Sequence, residues 1–132
     1  MKVPSRVVAF SIACMVALTT AFAVNFAAQP IVTVPGVYEN FTVGKGSGDL
    51  EGMRVVIVPA GGGHYAIVQI AQGGAEDPKP EFVPADVKGR SVSFSVGDDK
   101  YIGTATAAGL TLKDASGQSH SLKRKACSSY FR

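Results

Sequence analysis

The amino-acid sequence predicts an all-β domain: a small antiparallel barrel, or a sandwich, of about eight short strands that follow an N-terminal signal helix. After residue 28 no segment keeps the 3.6-residue period of an amphipathic helix, whereas apolar and polar residues alternate in short runs. Most of the 15 glycines lie between these runs and mark turns every 8–16 residues. Such even spacing is typical of antiparallel sheets with hairpin connections, and closing the sheet removes its exposed edges.

The first three strands are predicted at 37–43, 53–58 and 64–71, where β-branched and aromatic residues alternate with polar ones or form apolar runs. Glycine-rich segments at 44–49 and 59–63 separate these strands and are assigned as loops.

The fourth strand is predicted at 82–88, after a long polar connection over 73–80. It contains Pro84, which has no backbone N–H to donate to a neighbouring strand. We therefore expect this strand at a sheet edge or at a bulge.

Four further strands joined by tight turns complete the sheet. The clearest alternates serine with Val92, Phe94 and Val96, as expected for a strand with one face in the core and one in water. Since nearly every connection is hairpin-short, we favour an up-and-down barrel. Side chains should largely fill a barrel of about eight strands. These four strands are predicted at 91–96, 100–106, 110–113 and 118–125.

Two runs break the alternation, because residues 55–58 and 66–68 are apolar on both faces. Either residues 31–34 or the C-terminal tail cover the outer face, or the face is an exposed apolar patch that binds a partner or a second copy.

Residues 1–23 are predicted to be a secretory signal peptide. Lys2 and Arg6 form a positive N-terminal region, an uncharged apolar run covers residues 7–18, and a small-x-small site ends at Ala23. We expect cleavage after Ala23. Export would place the protein in the periplasm or outside the cell.

The alternative is an uncleaved anchor, since the chain carries no charge between Val7 and Tyr38. The remaining chain divides into a linker over 24–35, a barrel domain over 36–125 and a basic, aromatic tail over 126–132.

The charge balance argues against a nucleic-acid partner. The formal net charge is +3, and without Lys2 and Arg6 the 11 basic and 10 acidic residues that remain leave +1. Nucleic-acid binding usually requires a clustered basic face. The last ten residues, however, hold four basic side chains and no acidic one. They form either a strand with its charges in water or a cationic arm for an anionic partner or membrane surface. The candidate binding residues there are Lys123, Arg124, Lys125 and Tyr130.

Three glycine-rich loops are longer than a hairpin needs and are candidate binding loops: 44–52, 59–64 and 72–81. The candidate binding residues in or beside them are Lys45, Ser47, Asp49, His64 and Tyr65.

No pattern predicts catalysis, a metal site or a cofactor. His64 and His120 are the only histidines, and no ligand spacing of a zinc site surrounds them. Cys127 could act with a histidine as nucleophile and base, but no local motif frames such a pair. Most acidic residues lie in turns, where aspartate bonds to nearby backbone.

The sequence resembles a group of small exported bacterial proteins, largely uncharacterised, over most of the chain after the signal. In architecture it is similar to the periplasmic inhibitors of C-type lysozymes, whose signature is Ser-Gly-x-x-Tyr in a loop. The two Ser-Gly segments here place Glu51 and His120 where that family has tyrosine. The first resemblance rests on Gly36-Val37-Tyr38, the segment 48–53, the segment 65–69 with Gly73-Gly74, Gly103-Thr104 and Leu122-Lys123-Arg124.

Together these features predict an exported, non-enzymatic binding protein of the cell envelope. The expected partner is an envelope or extracellular protein, with no nucleic acid. Membrane contact is expected only through the export signal or the basic tail, and a homodimer is compatible with the sequence. The alternative is a periplasmic inhibitor or immunity protein that acts against a cell-wall hydrolase such as lysozyme.

Overall fold

The computed structural model describes residues 32–74 and 78–127. This part of the chain is all-β, and none of its residues belong to a helix long and apolar enough to cross a membrane. The predicted signal peptide and Tyr130 lie outside the described residues. The strands are β1 (Gly36–Glu39), β2 (Thr42–Val43), β3 (Leu50–Ala60), β4 (Gly63–Gln72), β5 (Glu81–Lys88), β6 (Ser91–Val96), β7 (Asp99–Ala105), β8 (Gly109–Lys113) and β9 (Ser119–Lys125).

The strands form a closed antiparallel barrel, which confirms the predicted fold class and the up-and-down connectivity. From β3 to β9 each strand pairs with the next in the chain, and β1 pairs with both β9 and β3 to close an eight-stranded barrel. The short β2 adds to β3 as an extra strand.

The predicted strand over 37–43 is divided at Asn40, although β1 and β2 keep one register along β3. The Asn40 side-chain carbonyl accepts a hydrogen bond from the Met53 N–H at 2.7 Å, and the Asn40 N–H donates to the Met53 carbonyl at 3.0 Å. Gly52 is packed so closely here that a Cβ would lie 2.8 Å from the Asn40 carbonyl oxygen. A side-chain bond therefore replaces one backbone bond where the strand bends.

Strand β5 lies inside the barrel wall between β4 and β6, so the expectation that Pro84 places it at an edge is wrong for the strand as a whole. Pro84 opposes Tyr65 of β4, whereas pairing with β6 begins only at Ala85. Pro84 therefore lies just before the part of β5 that pairs with β6. At this position its missing N–H removes no hydrogen bond between β5 and β6.

The barrel interior is filled by side chains from all eight barrel strands. Their burial alternates with a period of two, as in the three core residues of β3, Met53, Val55 and Ile57. The core also includes Val34, Tyr38, Ala66, Val68, Ala85, Val92, Phe94, Tyr101, Ala105, Leu110, Leu112 and Leu122.

The antiparallel register gives the barrel two distinct ends. The loop end carries the 44–49 loop, the turns 97–98 and 114–118 and the described parts of the 73–80 connection. The latch end carries the segment 32–35 and the turns 61–62, 89–90 and 106–108.

Arg124 holds the segment 32–35 at the latch end. Its guanidinium donates to the Thr33 carbonyl, to the Pro35 carbonyl at 3.2 Å and to the Tyr38 hydroxyl at 2.6 Å. The Tyr38 hydroxyl donates in turn to the Val34 carbonyl at 2.5 Å. Burial raises the pKa of Tyr38, although Arg124 acts in the opposite direction.

Candidate functional site

The three predicted binding loops do not form one surface. Residues 44–52 and 72–81 meet at the loop end, where the Leu50 N–H donates to the Gly74 carbonyl at 2.7 Å and the Gly73 N–H donates to the Leu50 carbonyl at 3.1 Å. Residues 59–64 form the β3–β4 turn at the latch end. Successive connections of an up-and-down barrel alternate between its two ends. The loops 44–52 and 59–64 lie at opposite ends because only β3 stands between them in the chain.

The candidate residues of the first loop make mainly local contacts. The Ser47 hydroxyl accepts from the Asp49 N–H at 3.2 Å, and the Gly44 N–H donates to the Asp49 carbonyl at 2.8 Å. Lys45 is exposed. These bonds are those of a polar turn.

The candidate residues of the second loop begin β4. His64 opposes Pro59 and Ala85 on the neighbouring strands. Tyr65 lies on the outer surface and stacks on Phe82, with ring centroids 4.8 Å apart.

The predicted cationic arm is, through Lys125, a strand of the barrel wall, paired with β8 on one side and over Lys123–Lys125 with β1 on the other. Lys123 and Lys125 are exposed, and the Lys125 ammonium lies 3.7 Å from the Glu39 carboxylate. Arg124 turns inward to the latch end. Residues 123–125 are therefore part of the sheet and Arg124 does not point to water, whereas residues 128–132 of the predicted arm lie outside the described residues.

One side of the outer surface is apolar. We call this surface the apolar face, and Phe82 at its edge is 62% exposed. Val56 pairs with Ile67, and Ile67 pairs with Phe82, so the residues form a continuous patch across β3, β4 and β5. Its members are Val56, Val58, Tyr65, Ile67, Phe82 and Pro84.

The other side of the barrel is polar. Ile102 is the one large apolar side chain among its outward positions, 50% exposed between Ser93 and Lys113 on the neighbouring strands. The other exposed outward residues of β6 to β9 are Ser91, Ser95, Lys100, Thr104, Thr111, Lys113, Ser119, Ser121, Lys123 and Lys125.

A polar network borders the apolar face towards the loop end. Arg54 donates to the Glu39 carboxylate at 2.7 Å and to the Gln69 side-chain carbonyl at 2.9 Å. Gln69 then donates to the Pro78 carbonyl at 2.8 Å, which attaches the end of the 73–80 connection to the barrel. Arg54 also lies over the Phe41 ring, 5.0 Å from its centroid.

A polar depression, which we call the mouth, opens at the loop end and encloses about 440 Å³. It exists because the inward-facing positions of several strands change from apolar to polar at this end. On β7, for example, Ala105 and Tyr101 are buried and Asp99 is exposed at the rim. The polar lining residues are Glu51, Gln72, Asp99, Tyr101, Asp114, Gln118 and His120.

Asp114 is the most heavily bonded acid of the mouth. One carboxylate oxygen accepts from the Ser116 hydroxyl at 2.6 Å and from the Ser116 and Gln118 N–H groups at 2.9 Å each. The other oxygen lies 3.0 Å from His120 Nε2. The Ser116 hydroxyl, followed by His120 and the backbone N–H groups, lowers the pKa of Asp114 to about 2.

Tyr101 forms the floor of the mouth. It is 6% exposed, stacks on Phe94 at 5.4 Å between centroids and meets the edge of the His120 ring at 6.1 Å. Within the described residues its hydroxyl has no hydrogen-bond partner. Burial, and then the negative charges of Asp99 and Asp114, raise the pKa of Tyr101.

His120, Asp114 and Tyr101 were not predicted to form a cluster. The inward orientation of His120 was predictable from the two-residue period of a strand, because Leu122 is an inward core residue and His120 lies two residues before it. Cys127 follows the far end of β9, seven residues from His120 and roughly 20 Å along a strand. A Cys127–His120 pair is therefore not formed. Among the described residues no three His, Cys, Asp or Glu side chains converge as metal ligands.

Comparison with the profiles of known protein families, with curated proteins and with solved structures finds no match for this chain.

Proposed function

We propose that this chain is an exported, non-enzymatic binding protein of the cell envelope, and that its apolar face contacts a protein partner. The observation that supports this most directly is the asymmetry of the outer surface. The outward positions in the middle of β3 to β5 form an apolar and aromatic patch, bordered by Arg54 and Gln69 on one side and by Asp86 and Lys88 on the other. Those of β6 to β9 are serine, threonine and lysine around a single isoleucine.

A barrel in water gains no stability from a contiguous apolar face on its outer surface. Single exposed apolar residues such as Ile102 are normal, but a rimmed, contiguous patch marks an interaction surface. The stacked Tyr65–Phe82 pair adds large, rigid side chains of the type enriched at the centres of protein interfaces.

One catalytic role is closed to the mouth, because Asp114 cannot act as a general acid. A general acid needs a raised pKa so that it still holds a proton at neutral pH. The opposite holds for Asp114, whose pKa of about 2 keeps it ionised and whose oxygens are occupied by hydrogen bonds.

The envelope location is supported by the signal-peptide pattern of residues 1–23. The alternative is an uncleaved segment that anchors the protein. Mass spectrometry of the protein recovered from cells distinguishes the two, because a cleaved chain begins at Val24 and an anchored one retains Lys2 and Arg6.

The apolar face is tested by replacing Phe82 with a photo-crosslinking residue in intact cells and repeating the experiment at Ile102, a matched exposed position on the polar side. We expect a discrete crosslinked protein from position 82 and none from position 102. In pull-downs, Phe82→Ser should weaken capture of that protein by about tenfold or more, the effect of an interface hot spot. Ile102→Ser should leave capture unchanged. Equal crosslinking from both positions would contradict the proposal.

The hydrolase-inhibitor alternative is favoured by one observation, the backbone bonding of residues 44–52 to Gly73 and Gly74 at a single end of the barrel. An inhibitor that uses this end should protect cells or isolated cell wall from lysis. Replacing Lys45, Ser47 and Asp49 by alanine would then abolish protection, whereas Phe82→Ser would not. No protection at excess protein against a panel of cell-wall hydrolases would reject this alternative.

A further inference from the structure

The mouth combines three acceptor groups that lack partners among the described residues. Glu51 and Asp99 make no side-chain hydrogen bond or ion pair in the described part of the protein, and neither does the Tyr101 hydroxyl. Tyr101 is nine-tenths buried yet lines the mouth, so its hydroxyl can reach only what enters that depression. The hydroxyl is the part of this otherwise buried side chain that opens onto the mouth, so the packing of the ring holds a free hydrogen-bonding group in a fixed position there.

The charge of the mouth determines what that ligand can be. Asp114 is held ionised by its hydrogen bonds, and Glu51 and Asp99 add two carboxyl groups at the rim. None of the described residues that line the mouth is lysine or arginine. An anion would be repelled, whereas a cation would be attracted by three acidic side chains gathered at one depression.

A metal ion is a poor match for this arrangement. The carboxylates and His120 do not converge into a metal-ligand group within the described residues, and Asp114 has already used its oxygens. An ammonium group offers three N–H donors on one nitrogen, and a guanidinium offers five in a planar fork. Each N–H can bond to a different acceptor, so such a cation does not need the converging ligand set that a metal ion requires. The volume of about 440 Å³ lies within the range of small-molecule sites.

We propose that the mouth binds an organic cation, a primary ammonium or a guanidinium group, between the Glu51 and Asp99 carboxylates and the Tyr101 hydroxyl. The cation is either a free small molecule or the side chain of a basic residue on another protein. This inference is independent of the apolar face, which lies on the outer surface of the barrel wall and not at its end.

The experiment is an NMR titration of the full chain after export with butylguanidinium and butylammonium, with 1-butanol and butanoate as neutral and anionic controls. We expect saturable shifts at Tyr101 and His120 with the cations only, and a dissociation constant near about 1 mM, which corresponds to about 4 kcal/mol. A peptide with one arginine between glycines serves as a second arm. If it binds tighter than butylguanidinium, the natural ligand is borne by a protein; if it binds equally or more weakly, the ligand is a free cation.

Two variants test the proposed contacts without disturbing the fold, because the groups they remove have no partner in the described chain. Asp99→Asn and Tyr101→Phe should each weaken cation binding by about three- to tenfold, since the aromatic ring and the strand are retained. Asp86→Asn removes the same charge from the outer surface of β5, where Asp86 pairs with Lys88, and should leave binding unchanged. No shift at Tyr101 up to about 50 mM, far above the expected constant, would overturn the proposal. So would equal shifts with butanol, or unchanged binding in both mouth variants.

Discussion

Gly103 lies where β7 packs most closely against β8. A Cβ at this position would overlap the Thr111 carbonyl oxygen, and both atoms belong to backbone that has no room to move. Gly63, at the start of β4, has no such neighbour, since a Cβ there would be 4.0 Å from the nearest atom, the Ala60 oxygen. Glycine is therefore required by close packing at position 103 but not at position 63, although both residues lie within strands.

We predict that Gly103→Ala lowers the free energy of unfolding by about 1–3 kcal/mol, the usual cost of forcing extra atoms into a packed region. Gly63→Ala is the matched control and should be neutral or slightly stabilising, because alanine reduces the freedom of the unfolded chain. Urea denaturation of the two variants and the parent measures both changes. Equal destabilisation by the two variants would show that close packing at Gly103 is not the cause.

Asp114 makes the stability of the barrel depend on acid pH. Its pKa of about 2 in the folded protein lies below the ordinary value of 3.8, so the folded state binds fewer protons than the unfolded chain between these values. The stabilisation is therefore fully present above about pH 5 and is lost as the pH falls through 2.

We predict that Asp114→Asn lowers the melting temperature at pH 7 and that the difference from the parent shrinks as the pH falls from 5 to 2. Asp98→Asn is the control, because Asp98 lies in the exposed turn 97–98 and has no side-chain hydrogen bond in the described residues. Melting curves recorded at intervals of about 0.5 pH unit are fine enough to follow a change that extends over more than one pH unit. A difference that stays constant across this range would rule out the Asp114 contacts as its source.

At the scale of the elements, the positions of the strands were predictable from the sequence, but several contacts between strands were not. Alternation and glycine turns locate β3 to β9, because burial in a sheet follows a period of two. The division at Asn40 was not predictable, since it depends on a contact with Met53 on another strand. The hydrogen bonds of Arg124 were not predictable for a similar reason. Arg124 lies two residues after Leu122 on the same strand, which indicates an inward position, but only the fold brings the Pro35 carbonyl and the Tyr38 hydroxyl to accept its hydrogen bonds.

We predict that Arg124→Met, which keeps much of the aliphatic stem and removes the guanidinium, releases the segment 32–35. Hydrogen bonds to charged groups contribute about 1.5–3 kcal/mol each, so a loss on the order of 2 kcal/mol in unfolding free energy is expected. Hydrogen exchange should accelerate in peptides that cover residues 32–38. Lys123→Met removes the same charge one position away, where the side chain is exposed on the outer surface.

This control variant should match the parent in both stability and exchange. If Lys123→Met accelerates exchange as much as Arg124→Met, net charge and not the inward guanidinium governs the latch end.

At the scale of the whole molecule, the barrel separates its surfaces by chemistry. The interior is apolar and filled, the latch end is closed by Arg124 and Val34, the mouth is acidic, and the outer wall is apolar on one side only. Three basic residues that the sequence suggested as part of one electrostatic arm are divided, with Lys123 and Lys125 on the outer wall and Arg124 at the latch end. Within the described residues, a ligand therefore binds at an end of the barrel or on its outer wall, because side chains occupy the space within.

The filled interior leads to a prediction about apolar ligands. In the parent protein, benzene should not perturb the methyl resonances of Leu110 or Leu122, because eight short strands leave only the volume that their own side chains fill. Leu112→Ala opens a cavity at the cost of about 2–5 kcal/mol in stability, and apolar cavities of this kind stay dry and bind benzene. In that variant the same methyl resonances should shift. The apolar face provides an internal control, since Ile67 can respond to benzene in both proteins without any entry into the barrel. Shifts of the Leu110 methyls in the parent at the same benzene concentration would show that the barrel admits ligands, and would make it a carrier and not a rigid support for its surfaces.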